Sequence, residues 1–443
     1  MSAPPSAGGA TCNTHAMRSR IAIVVIVAIG VLLRVRALFT EFWLDEIWSL
    51  RIAQEVHSWI EIFTRVHHDN NHPLNTLFLY LLGDQPNWIW YRTLSFVCGL
   101  ALIALLIRAA RNESERIAIT IFASLSLPMI VYATEARGYA PAAMLCVAAY
   151  VYREKQWLSA IAITLAMLAH LTAAFVFVAL AASVWVPLPQ RHRDRWGSAR
   201  HNGIAYIMPL GVAAWLTVSF AHVIIGGGPA SSKLAISIEA ASSILGGSGV
   251  LVALLAIIIL IFEIAKREDK LFFVLALFVV PAIAIVGAGD YVSARYLFVC
   301  IPFALLLLAS FVSRNPKAGV AIVIVWILAT SLQLMPFLRF GRGTYIEAMR
   351  FMAPAVVSGD NDFRNGTMIA FYSRYVKGIR YASDGDWYLI ESFGDFSAMP
   401  RAIKANGHDF ALAKIFPYGG TSGWTWLVYR RVRPLSNPAS SQR

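Results

Sequence analysis

Long apolar runs recur from Ile21 to Phe337 and constrain the fold before any other feature. A helix that crosses a bilayer needs about 20 mostly apolar residues, and its backbone polar groups must be satisfied internally. Only 14% of the 443 residues are charged and 58% are hydrophobic, against about 25% charged in a soluble domain. A purely soluble protein is excluded. Beyond Phe337 the composition becomes mixed again. The reading is an all-α polytopic membrane protein with a small C-terminal α/β or α+β domain in water.

Bounding the apolar runs by charges predicts eleven spans, beginning near Ile21, Tyr91, Ile117, Tyr139, Trp157, Leu171, Ile204, Ala241, Leu271, Ala294 and Ala318. This divides the chain into a tail over 1–20, a membrane domain over 21–337 with a large first outer loop over 41–90, and a soluble domain over 338–443. The tail, rich in Ala, Ser, Gly and Pro, is expected to be disordered, and the first helix to be uncleaved because no small-residue cleavage site follows it.

Thirty-eight Lys and Arg against 25 Asp and Glu give a net charge of +13. In a soluble protein that excess would suggest nucleic acid. Here sixteen of the basic residues fall in every second connection, against six in the others. Cytoplasmic loops collect Lys and Arg, so the N-terminus is expected inside and the C-terminal domain outside the cytoplasmic membrane. Much of the charge is then topogenic, and nucleic acid is not an expected partner. The cysteines, Cys12, Cys98, Cys146 and Cys300, form neither a CxxC motif nor a loop framework.

In the C-terminal region the alternation predicts helices over Ile346–Val357 and Ala398–Ala405. It predicts strands over Thr367–Tyr372, Trp387–Ile390, Phe410–Ile415 and Trp424–Tyr429. No phosphate-binding glycine loop and no internal repeat is present.

Acids and histidines concentrate on the outer side. Asp45 and Glu46 follow the first span directly, between Trp43 and Trp48. Such carboxylates are either water-facing polar groups or, partly desolvated at the headgroup level, bases able to take a proton from an acceptor hydroxyl. The outer loop ends His67-His68-Asp69-Asn70-Asn71-His72-Pro73. Pro73 reads as a helix start. His72 could orient a phosphate or join Asp45, Glu46 or Asp69 around a divalent metal ion.

Two further segments, Tyr132-Ala133-Thr134-Glu135-Ala136-Arg137-Gly138-Tyr139 and Asp290-Tyr291-Val292-Ser293-Ala294-Arg295-Tyr296, each place an arginine among tyrosines at membrane depth. Such an arginine either snorkels to headgroups or clamps an anion bidentately. Arg34 and Arg36 pose the same choice, and His170 in an outer turn is either a satisfied turn residue or part of the site.

In order, FWLDEIWS, NHPLNTLFLYLLG, YRTLSF, YATEARGYA and SARYLFVCIPF resemble the GT-C glycosyltransferases. More narrowly, the chain is similar to the bacterial branch that includes protein O-mannosyltransferase-like enzymes, lipid A aminoarabinose transferases and RgtA/B/C/D-like transferases. The resemblance covers about Ile21 to Phe337. It implies an inverting transfer of sugar from a polyprenyl monophosphate to a lipid, glycan or protein hydroxyl on the outer membrane face. Asp45, with Glu46 beside it, would be the catalytic carboxylate. His72, Arg92, Arg137, Tyr139 and Arg295 would bind the donor phosphate, and Tyr132, Glu135 and His170 would serve the acceptor side or supply a second acid. Two departures stand out: Leu74 and Asn75 follow His72-Pro73 where many relatives have a proline and an aromatic, and the tail matches no motif. The rivals are a transporter or flippase of lipid-linked sugars and an O-antigen-type polymerase using a diphosphate donor.

Overall fold

The structure is a computed structural model that describes residues 8–185, 203–220, 223, 232–287, 293–394 and 399–432. The chain is mostly helical and ends in a six-stranded sheet. By internal contact it divides into two units. The first comprises Met1–Leu38 and Ser49–Gln333, and the second Phe39–Trp48 and Leu334–Arg443.

The first unit begins with α1, Gly8–Leu38, followed after the short segment of the second unit by α2, Leu44–Glu55, which runs across the division. Then come α3, Trp59–Thr64; α4, Pro73–Leu82; α5, Thr93–Ala109; α6, Glu113–Leu125; α7, Leu127–Tyr132; α8, Tyr139–Val151; α9, Gln156–Ala169; and α10, Ala174–Trp185. Among the described residues, five helices are long and apolar enough to cross a membrane: Met17–Leu38, Trp88–Ala109, Lys270–Gly287, Ala294–Arg314 and Pro316–Met352. Six shorter apolar helices accompany them, Pro73–Leu82, Tyr139–Val151, Gln156–Ala169, Leu171–Ser183, Ile204–Phe220 and Val250–Ala265. The expected span near Ala241 begins at Val250 instead, because Ser242 to Gly249 ends one helix, Lys233–Ile244, in a turn with two positive-φ glycines, Gly246 and Gly249.

Close helix approach depends on small residues. A Cβ on Gly30 of α1 would meet the Ser124 Cβ at 2.7 Å, so only glycine lets α1 lie against α6 at this point. Arg34, one turn further along α1, donates from Nη1 to Ser124 O at 2.8 Å and from Nη2 to Ala123 O at 2.9 Å. Those carbonyls stand at the break between α6 and α7, where the helix leaves acceptors unused. Arg34 is therefore committed to capping a helix end. Cys98, Cys146 and Cys300 are free and buried.

In the second unit the sheet order is β2-β1-β3-β6-β5-β4, built from β1 Ala355–Gly359, β2 Ile379–Tyr381, β3 Trp387–Ser392, β4 Ala402–Ala405, β5 His408–Phe416 and β6 Thr425–Arg431. β1 pairs in parallel with β2 and β3, and the remaining pairs are antiparallel. Three strand expectations, around Trp387, Phe410 and Trp424, match β3, β5 and β6. The expected helix Ile346–Val357 is a helix only over Tyr345–Met352, and its last residues belong to β1.

Two expectations are corrected. Thr367–Tyr372 is not a strand but the end of a helix, Asp362–Tyr372. The Asn361 side chain caps that helix by accepting from Arg364 N at 3.0 Å, and its buried Asn365, Met368, Ile369 and Tyr372 follow helical spacing. Ala402–Ala405 is a strand rather than a helix, because Asn406 and Gly407, with φ of 50° and 76°, close a tight hairpin onto His408. The start of that expected helix, Ala398, lies outside the described residues.

Candidate functional site

Within the first unit, the turn from α7 to α8 is held by backbone contacts from two other helices. Asn75 of α4 donates from Nδ2 to Ala136 O at 3.1 Å, and Ser95 of α5 donates from Oγ to Arg137 O at 2.9 Å. A side chain on Gly138 would overlap the Ala169 carbonyl and press on the His72 Cβ, so glycine is required for α8 to start against the end of α9. The turn is thereby fixed with Arg137, 3% exposed, facing His72.

Arg137 Nη2 donates to His72 Nε2 at 3.0 Å. A guanidinium only donates, so His72 is neutral and carries its proton on Nδ1. His72 precedes α4, outside the apolar helices. Burial, reinforced by His170, Arg137 and Arg295, holds its pKa well below the usual imidazole range. The His72 ring stacks on His170 with centroids 4.3 Å apart, and His170 lies 4.2 Å from the Tyr139 ring.

His170 has the opposite tautomer. Its Nδ1 accepts from Thr172 N at 3.3 Å, so the proton sits on Nε2. That Nε2 is buried with no hydrogen-bond partner among the described residues, as is Asn75 Oδ1. An orphaned buried N–H costs about 1–3 kcal/mol unless a ligand answers it.

The segment with Arg295 joins the same group. Phe298, in the 3-10 turn Ala294–Cys300, packs on Tyr132 with centroids 4.5 Å apart, and Tyr132 packs on Tyr139 at 4.8 Å. Arg295 acts electrostatically on both His72 and His170. Asp290, Tyr291 and Val292, singled out in the sequence, lie outside the described residues. Glu135 is fully buried in the α7–α8 turn. Buried His72, Arg137, Tyr139, Tyr132 and His170, with half-buried Arg295, thus form one cluster rich in donors and aromatic rings.

Two expected residues have other visible tasks. Arg92, fully buried, donates from Nη1 to Leu38 O at 2.7 Å and so caps the end of α1. Asp69 pairs with His68 Nδ1 at 2.7 Å. Among the described residues no group of three or more His, Cys, Asp or Glu is arranged to hold a metal ion, and the His72 Nε2 lone pair already accepts from Arg137.

The acidic pair belongs to the second unit. Asp45 and Glu46 stand in the first turn of α2, where carboxylates face the positive end of the helix dipole. Glu46 is fully buried, accepts from Trp43 N at 3.4 Å and lies 3.9 Å from the equally buried Arg342 Nε. Arg342 also donates from Nη1 to Thr40 Oγ1 at 2.5 Å. Tyr372 donates to Phe42 O at 2.6 Å, and Ile346 N donates to the Glu41 carboxylate at 2.9 Å. The rings of Phe42 and Trp48 stack on Phe371 and Phe363. The segment Phe39–Trp48 is therefore fastened to the sheet domain by Arg342, Tyr372, Phe371 and Phe363, which the sequence did not single out, with Arg342 foremost. Its only sequence signal is an arginine beyond the last apolar run.

The family model described as the EpsG family matches residues 57–341. No curated protein matches the chain.

Proposed function

Because the chain belongs to the EpsG family, we propose that it is a membrane-embedded glycosyltransferase that moves a sugar from a lipid-linked phosphate donor to a hydroxyl acceptor. The observation that carries the reading is the grouping of buried Arg137, half-buried Arg295 and the unanswered, buried His170 Nε2–H, a set of cationic and donor groups of the kind that binds a phosphate. A second feature supports a prenyl chain on the donor. An apolar cavity of about 200 Å³ is lined by Leu297, Cys300 and Ile301, which follow Arg295 directly, together with Ile244, Leu260 and Ala304.

In the proposed reaction Asp45 takes the proton from the acceptor hydroxyl as its oxygen bonds to the anomeric carbon. The bond from that carbon to the phosphate oxygen breaks with inversion, and its electron pair leaves on the phosphate. Arg137, Arg295 and His170 stabilise that growing charge. His72 serves as a neutral rest for Arg137, and Glu46 holds the helix start on which Asp45 stands. Transfer is proposed to occur on the outer face of the cytoplasmic membrane, with the sheet domain on that side.

Family membership favours a second reading, an O-antigen-type polymerase with a polyprenyl diphosphate donor. A donor panel separates the two. Purified protein in nanodiscs is given the same labelled sugar on a polyprenyl monophosphate and on a diphosphate. Transfer from the monophosphate alone supports the first reading, transfer from the diphosphate alone the second, and transfer from neither removes both.

A further inference from the structure

The far end of α8 carries a second cationic site that the transfer reaction does not use. Around the α8 C-terminus lies a cavity of about 440 Å³. Its seven lining residues include Arg108, Arg111, Arg153 and Arg267, together with Tyr150, and none is acidic. It stands about 17 Å along α8 from Tyr139 at 1.5 Å per residue, and so is separate from the His72–Arg137 cluster.

The site is built rather than incidental. Arg267 is oriented by Asp269, with Nε to Oδ1 at 2.7 Å and Nη2 to Oδ2 at 3.1 Å, and Nη2 also donates to the Tyr150 hydroxyl at 2.9 Å. Tyr150 in turn donates to Asp269 Oδ2 at 2.5 Å. The Arg153 guanidinium lies 4.4 Å from the Tyr150 ring centroid and donates to Tyr150 O at 2.9 Å. Arg111 is placed at the entry to α6, where its backbone N donates to Glu115 at 3.1 Å. Buried Tyr150 and half-buried Asp269 therefore set the positions of two guanidiniums, while Arg108 and Arg111 complete the rim.

We propose that this arginine-lined cavity binds a phosphate group, carried by an anionic lipid headgroup or by a free phosphoanion. Guanidinium forks match phosphate oxygens; Asp269 pairs with Arg267 and lies 3.8 Å from Arg153, yet four guanidiniums lining one polar space carry more positive charge than that carboxylate balances, which an anion would neutralise. The lining arginines come from connections that gather the chain's positive charge, which favours the leaflet where anionic headgroups face basic loops.

The test uses the full-length protein in detergent. Native mass spectrometry after exposure to equimolar phosphatidylglycerol and phosphatidylcholine reads the lipid source, and the thermal shift with inorganic phosphate or pyrophosphate reads the soluble one. Retention of phosphatidylglycerol tenfold or more above phosphatidylcholine, lost in the R108Q/R153Q double variant, supports a headgroup. A saturable shift with phosphate or pyrophosphate and no lipid preference supports a free phosphoanion. Neither effect in the unmodified protein overturns the site. Should the double variant not fold, single R108Q and R153Q carry the comparison, and retention or shift unchanged in both overturns it as well.

Discussion

Arg137 and His72 meet nitrogen to nitrogen across 3.0 Å, and because arginine can only donate, the histidine is held neutral with Nε2 as the acceptor. In the proposed reaction Arg137 holds the donor phosphate, and a histidine that accepts from it sets the direction of several tests.

Arg137→Gln should lower kcat/KM for a lipid-linked sugar on the order of 10²-fold, the usual scale for losing one positioned charge donor. Steady-state transfer in nanodiscs checks this. Arg137→Lys should recover only part of the loss, since an ammonium lacks the fork.

The lowered pKa of His72 predicts that activity has no limb from this group between pH 6.5 and 8. On acidification below that range, protonation would set a positive ring against Arg137, and activity should fall. His72→Gln keeps an acceptor without the titration. Its residual activity should lack the part of the acid limb that His72 contributes, which pH–rate profiles of the two proteins below pH 6.5 compare.

Asp45 and Glu46 should separate by phenotype. Asp45→Asn is expected to abolish transfer with little change in thermal stability. Glu46→Gln leaves the buried Arg342 without its opposite charge and should cost about 3 kcal/mol of stability. Thermal unfolding and transfer assays on the two variants check the split; a stable, inactive Glu46→Gln would reverse the assignment.

Stability of the sheet domain should decline from pH 5 to pH 8. Burial pushes the Glu41 carboxyl up to about 7 despite the Ile346 N–H, and it does the same to Glu391, up to about 7 despite Arg364 at 2.9 Å. A folded-state pKa above the unfolded value near 4.5 means that the folded form holds the extra proton. The stabilisation is complete below 4.5 and is lost as pH rises to about 7, at up to about 1.4 kcal/mol per pH unit for each group. Glu41→Gln should flatten the slope in thermal melts across that window.

How much of this was legible in the sequence depends on the kind of signal. The apolar helices and the arginines of the α7–α8 turn and of Ala294–Cys300 stand out because charge in a hydrophobic run is costly. Arg34 and Arg92 carry the same signal yet cap helix ends, and nothing local distinguishes a capping guanidinium from one that binds a ligand. The Thr367–Tyr372 run reads as a strand until the Asn361 cap is noticed, and Asn406-Gly407 is a hairpin signal that outweighs the apolar residues before it. The fastening of Glu46 by Arg342 spans 296 positions of sequence and has no local trace. The same is true of the stacking of His72 on His170, which depends on Gly138 letting two helix ends meet.

The most direct test measures equilibrium binding of a polyprenyl-phosphate-linked sugar to the purified protein in nanodiscs, for the unmodified chain and for Arg137→Gln and His170→Ala. The account predicts saturable binding that weakens tenfold or more in each variant while their helical content is unchanged. Equal affinity in all three proteins would contradict the assignment of the buried arginine–histidine cluster to the donor phosphate.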